Sequence, residues 1–339
     1  MKHRRLSRAA GVAGAAMLVA ALAGIASAKN FSDWGTPVNA EAIPGASSEI
    51  NTTFNDGCPI ESPDGRSLYY ATNRPGGLGG QDIWVAERAH KSDPWGAPVH
   101  LPEPVNSSAD DICPTPLDGK RLLFVSSRGG GFGNGDIYIT RQKGDDWDEP
   151  ENLGSNVNSA AGEAGPSLVK LKGRTLLFFS STRPGGYTAD LPDTDSDIYV
   201  SEELHHGGFG PATLVDGLNT AKDDARPNVR KDGLEVVFDS NRPGTLGGPD
   251  IWSSSREQRD DAWSPPVNLG SVNTASSETR ASLSGDGKRL TFGSNRPGAE
   301  GALDVYISTR DKLNGKDDED QEPVAARGAG EVVEPPAPT

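Results

Sequence analysis

A pattern that recurs five times constrains this chain more than any other feature. Each copy has an acidic residue, a variable position two places on, and then Pro or Ala. A short apolar stretch follows, then Ser/Thr-x-Arg, a Gly-rich loop and Asp-Ile/Val-Trp/Tyr. The arginines are Arg74, Arg128, Arg183, Arg242 and Arg296; the closing aspartates are Asp82, Asp136, Asp197, Asp250 and Asp304. Both series repeat every 53 to 61 residues. A fixed period of this size marks a stack or ring of like supersecondary units, not an ordinary two-domain enzyme.

The second copy shows what one unit is. Asp111-Ile112-Cys113-Pro114 opens a strand that runs to Asp118-Gly119, a dipeptide whose twist suits a tight hairpin. Leu122 to Val125 form the second strand, Ser126-Ser127-Arg128 ends it, and Gly129 to Gly135 make a loop. Asp136-Ile137-Tyr138-Ile139 starts a third strand, and the segment from Trp147 supplies a fourth. Asp64-Gly65, Asp232-Gly233 and Asp286-Gly287 repeat the hairpin, whereas the third copy has Lys172-Gly173. Asn51, Asn106, Asn158, Asn219 and Asn273 each lie five residues before the acid, implying one repeated entry into the first strand. Four short antiparallel strands per unit, in a ring, are the blades of a β-propeller. The segment from Trp34 to Asn51 has no unit before it, and Asp304 to Ile307 has no Trp segment after it. The early segment can therefore supply the outer strand of the last blade and remove an exposed edge. The expected fold is all-β: a five-bladed propeller of four-stranded antiparallel blades, closed by an N-terminal outer strand.

On Ser62-Pro63-Asp64-Gly65, Thr72-Asn73-Arg74-Pro75-Gly76-Gly77 and Asp82-Ile83-Trp84, with their counterparts, the chain resembles the WD40-like β-propeller repeat family. Such repeats occur in TolB and in some OmpA-type envelope proteins. The resemblance runs over roughly residues 33 to 310 and implies a scaffold for interactions. It does not extend to TolB's N-terminal domain or OmpA's peptidoglycan-binding domain.

The ends read differently. Residues 1–28 carry a basic head (Lys2, Arg4, Arg5, Arg8), an Ala-rich apolar run and Ala26-Ser27-Ala28, the form of a cleaved export signal. Arg4-Arg5 hints at twin-arginine export, but ordinary secretion matches better. The domain division is thus signal 1–28, propeller 29–311 and a disordered acidic, Pro-rich tail 312–339. Cleavage would move the formal net charge from −15 to −19. So acidic a chain repels phosphate backbones and anionic lipid, so nucleic acid is excluded and no membrane span is expected after cleavage. A monomeric periplasmic or secreted protein is expected, with an envelope protein or glycan as partner.

Strand direction brings the acid, the Arg and the closing Asp of each copy to one rim. Arg74 is expected to clamp Asp82 or Asp56, and likewise round the ring, because its planar fork bonds two acceptors. Asp56, Asp111, Glu163, Asp224 and Glu278, with Arg226 and Arg280, are the candidate ligand-binding set at the channel mouth. Symmetry breaks two residues after the acid, where the series reads Cys58, Cys113, Gly165, Arg226, Arg280. The two arginines either offset the carboxylates or bind a small anion. Cys58 and Cys113 form a disulfide or stay as buried thiols. The third copy's loop holds Asp190, Asp193, Asp195 and Asp197. It is either a solvated acidic loop or a weak calcium site through Asp193, Asp195 and Asp197. No other cofactor is expected. No Gly-x-Ser-x-Gly is present, and the few histidines do not make a triad or zinc site. The once-per-repeat aromatics read as packing between blades. Functionally the leading expectation is a non-catalytic scaffold. The alternative is a glycan-active hydrolase using channel-mouth carboxylates.

Overall fold

The computed structural model describes residues 30–188 and 195–313. The expected signal, most of the expected tail, Asp190 and Asp193 lie outside the described residues. Five small antiparallel sheets form a five-bladed β-propeller, as expected. Blade one comprises Asp56–Glu61, Ser67–Thr72, Asp82–Glu87 and Val99–His100 from the axis outward. Blade two adds a fifth strand, Asp146–Trp147, beside the end of its third. In blade five the outer strand is Val38–Asn39, which pairs antiparallel with Asp304–Thr309 through Val38↔Ile307 and Asn39↔Tyr306. The ring is therefore closed by the beginning of the propeller sequence. Phe31 bridges Lys312, and Leu313 N–H donates to Asn30, so the clasp reaches two residues past the expected boundary at 311.

The core lies between blades. Five apolar clusters each join neighbouring sheets; one unites Leu123 and Ile137 of blade two with Leu177 and Phe179 of blade three. Another unites Leu68 and Tyr70 of blade one with Val305 and Ile307 of blade five. Each blade thus buries both faces against others, which is why the second strands are mostly buried and apolar through their middles, as in Leu122–Val125 and Leu176–Phe179.

The spaced asparagines extend each outer strand with a side chain. Asn106 Oδ1 accepts from Ile83 N–H at 2.8 Å, and its Nδ2 donates to Ile83 O at 2.9 Å. Asn158, Asn219 and Asn273 repeat this pairing on Ile137, Ile198 and Ile251. Asn51 does so on Val305, across the closure.

Candidate functional site

The rim where the inner strands begin is built from one motif used five times. The acid's side chain is fully buried in every copy. The Ser or Thr that follows the spaced asparagine donates to it through both N–H and hydroxyl, as Thr52 does to Asp56 at 2.6 and 2.8 Å. The arginine supplies the other side: Arg74–Asp56 and Arg128–Asp111 at 2.7 Å, Arg183–Glu163 at 3.1 Å, Arg296–Glu278 at 3.2 Å, and Arg242–Asp224. Each guanidinium also donates to a carbonyl of the incoming connection, such as Val105 O or Leu218 O. It then lies 4.7–5.4 Å from two aromatic ring centroids of its own blade.

Of the two partners expected for each arginine, the structure has the inner-strand acid and not Asp82, Asp136, Asp197, Asp250 or Asp304. Those aspartates instead hold the Gly-rich loops by accepting backbone N–H groups, as Asp136 does from Phe132 at 2.6 Å and Asp197 from Tyr187 at 2.7 Å. Moreover, Asp56, Asp111, Glu163, Asp224 and Glu278 are not ligand groups, because arginine, hydroxyl and amide occupy their oxygens in the interior. Burial pushes the Glu163 carboxyl up, although Ser159, Ser181 and Arg183 oppose the shift. Of the acidic loop, Asp195 and Asp197 are described. Among the described residues no three His, Cys, Asp or Glu side chains cluster to hold a metal ion.

The variable position carries an unanticipated backbone geometry. Pairing breaks there in all five inner strands, and the residue is left-handed: φ is 53° at Cys58, 49° at Cys113, 57° at Gly165, 50° at Arg226 and 49° at Arg280. The bulge turns these five residues toward the axis, where they plug this mouth. Neighbouring inner strands come close enough to bring Cys58 and Cys113 to a Cα separation of 4.8 Å, and the two are joined in a disulfide. A Cβ on Gly165 would lie 2.5 Å from Arg226 Cα and 2.6 Å from Arg280 Nη1, so a side chain here would displace the arginines. Arg226 Nε lies 3.0 and 3.1 Å from the two carboxylate oxygens of Asp239. Asp239 occupies a second-strand position held by Ala71, Val125, Ser180 and Gly293 in the other blades. That lone charge in a small-residue series is the signal the sequence reading passed over. Burial would lower the Arg226 pKa, but the charge and hydrogen bonds of Asp239 outweigh it and raise the value.

The opposite mouth, where the inner strands end, is open. A cavity of about 150 Å³ draws residues from all five blades, among them Glu61, Asp118, Ser167, Lys170, Asn228 and Leu283. Glu61 is held by Arg289, with Nε–Oε1 at 2.8 Å, and lies 3.6 Å from Arg88 Nη2. Asp118 stands exposed on the blade-two hairpin. A groove of about 530 Å³ runs outward between blades one and two, shares Asp118, Pro116 and Arg121 with the cavity, and is lined by Tyr69 and Trp147. Burial pushes the Tyr69 hydroxyl up to about 12, so it stays a neutral donor. Trp147 breaks another series. Guanidiniums of Arg88, Arg256 and Arg310 cover Trp95, Trp263 and Trp34 at 3.6, 4.2 and 4.2 Å. The blade-two counterpart of these arginines is Gln142, which pairs with Trp147 only through backbone and leaves a groove there.

Neither a protein-family model nor a curated protein matches the sequence. Solved structures match its fold. An α-L-arabinofuranosidase from Lactobacillus brevis superposes with a TM-score of 0.52 at 13% identity, over 82% of this chain and 95% of that one. The Podospora anserina α-L-arabinofuranosidase PaAbf62A gives 0.51 at 12% identity, over 84% and 98%. TolB from Acinetobacter baumannii is also among the matches, at a TM-score of 0.41, 14% identity, and 78% and 55% coverage. At these identities the likeness is one of fold. It nonetheless corrects the leading expectation of a non-catalytic scaffold. A repeated five-bladed ring does not by itself mark a scaffold, since two of the rings this chain superposes on are α-L-arabinofuranosidases by name.

Proposed function

We propose that the protein is an exported glycan-active hydrolase whose site is the open mouth and its groove. The observation that carries this reading is the axial cavity with two carboxylates, Glu61 and Asp118, continued by an aromatic-lined groove. A cavity with an attached groove suits a terminal sugar and the chain behind it. Tyr69 and Trp147 offer flat apolar surface to sugar faces, and the Asn228 amide and Lys170 ammonium offer donors to hydroxyls. Glycosidic cleavage needs two carboxyl groups about an oxocarbenium-like centre. Glu61, held by Arg289 at the cavity wall, is placed to steady developing positive charge. Asp118, exposed on the hairpin, is the second carboxyl at the cavity. The five rim acids have no part in this, because they do not line the cavity: each is fully buried at the opposite mouth, whereas Glu61, though paired with Arg289, lies in the cavity wall. The fold-mates at comparable TM-score act on arabinose-bearing substrates by name, so pentose-containing glycans lead the substrate panel. Among the described residues no helix is long and apolar enough to cross a membrane.

The test is reducing-sugar release from arabinan, arabinoxylan and xylan, together with nitrophenyl pentosides. Wild-type protein should hydrolyse at least one, and Glu61→Gln and Asp118→Asn should each lower kcat by ~10²-fold or more while circular dichroism stays unchanged. Silence across the panel, or turnover that survives both amide changes, would sink the reading.

A further inference from the structure

The plugged mouth holds a charge that its own side chains do not balance. The Arg280 side chain is fully buried. It spans the channel from blade five, and Nη2 donates to Thr115 Oγ1 at 3.0 Å and reaches the carbonyls of Pro114 at 3.5 Å and Pro166 at 3.4 Å. None of these acceptors is charged. Nε and Nη1 are buried with no hydrogen-bond partner. The nearest carboxylate, Asp239, is engaged side-on by Arg226 and accepts only the backbone N–H of Arg280, at 3.0 Å. The rim carboxylates do not help, since each is matched one-to-one by its own arginine. Two guanidiniums thus share a single carboxylate. Burial and the Arg226 charge, opposed by Asp239, lower Arg280 to about 9, so it remains a cation at neutral pH.

A buried guanidinium with free donors is costly unless a counter-charge meets it. We infer that Arg280 holds a small monovalent anion of halide type, within hydrogen-bond reach of Nε or Nη1, inside the axial channel. A monatomic ion is favoured over a larger one because the space is narrow: a Cβ added at Gly165 would lie 2.6 Å from Nη1. One negative charge also equals the local excess. Arg280 itself does not line the open cavity, although its acceptor Thr115 does, and the inference does not depend on hydrolysis.

Two measurements test it. Crystals of the wild-type protein soaked in bromide should show an anomalous peak within about 3.5 Å of Arg280 Nε or Nη1. Replacing potassium gluconate by chloride at constant ionic strength, from 1 to 100 mM, should raise the Tm by ~2 °C in wild type and leave Arg280→Met unchanged. A bromide-free channel would overturn the inference. So would a peak with no halide dependence of Tm, which means an adventitious ion only, or a dependence that persists in Arg280→Met. If Arg280→Met does not fold, the wild-type crystal and titration still decide.

Discussion

The two ends of the channel are made from the same five strands and obey different rules. Where the inner strands begin, charges are buried, and each must carry its own partners. The acid, the arginine, the Ser/Thr cap and the asparagine therefore recur in all five blades. Where the strands end, the cavity opens to water and nothing forces repetition, even though single groups such as Glu61 are paired. Glu61, Leu117, Lys170, Lys231 and Gly285 contribute to the open cavity with no common chemistry. Repetition in this molecule records what burial demands. Chemistry specific to the protein is sought where repetition lapses, at the open mouth, at Trp147 and at the pair Arg226 and Asp239.

The largest expected effect tests the buried side of this contrast. Arg242→Met leaves Asp224 fully buried and without its cationic partner. The loss should be ~3–5 kcal/mol, read from the urea midpoint. The exposed pair Arg174–Glu202, with side chains 51% and 43% accessible, is the control. Arg174→Met should shift the urea midpoint far less than Arg242→Met does. Equal losses at the two positions would break the distinction between buried and solvated charges.

A second test removes the covalent part of the plug. Cys58 and Cys113 are 55 residues apart, and opening that loop should cost ~2–4 kcal/mol. Cys58→Ser with Cys113→Ser should therefore lower the urea midpoint by as much as reduction lowers that of wild type. Glycan turnover at the far mouth should be unchanged at temperatures where the variant is folded. A parallel fall in turnover would mean that the two mouths are not independent.

Much of this architecture is legible in the sequence because its constraints are periodic. The asparagine spacing, the Asp-Gly hairpins and the unmatched segment at Trp34 give the blade count and the closure. The partner of each arginine is less legible, because strand direction sends both the acid, 17–20 residues before it, and the closing Asp, 8–14 residues after it, to one rim. The burial of Asp56 and its counterparts was hidden for the same reason. Their caps, Thr52, Ser107, Ser159, Thr220 and Thr274, form a visible Asn-Ser/Thr series that distinguishes the acid as a capped structural group. The left-handed bulge had no such signature, since Cys and Arg are not residues that signal positive φ. The open cavity is illegible from repeats by its nature, because its residues are those that do not repeat.

The smallest expected effect concerns the one rim position where the closing segment departs from the pattern. In blades two, three and five the N–H of Asn106, Asn158 and Asn273 is met by a backbone carbonyl, of Pro102, Gly154 and Leu269. At the closure the longer segment puts the Glu41 carboxylate there instead, 2.9 Å from Asn51 N. Burial raises the Glu41 pKa above the ordinary 4.5, and the charges of Glu300 and Asp304 add to it against the N–H groups of Asn51 and Ile50. A carboxyl whose pKa is higher folded than unfolded binds its proton more tightly in the folded state. Its contribution is complete below the unfolded value and is lost as pH rises through the folded one. Glu41→Gln keeps the acceptor for Asn51 and removes the titration. The variant should match wild type near pH 4 and become more stable than it toward pH 7, by less than about 1 kcal/mol because the group is only half-buried. A gain in urea midpoint that grows with pH would show that the rim tolerates an imperfect charge only where the chain closes. A loss at neutral pH would place Glu41 among the fully matched carboxylates and extend the rule of complete pairing to the closure itself.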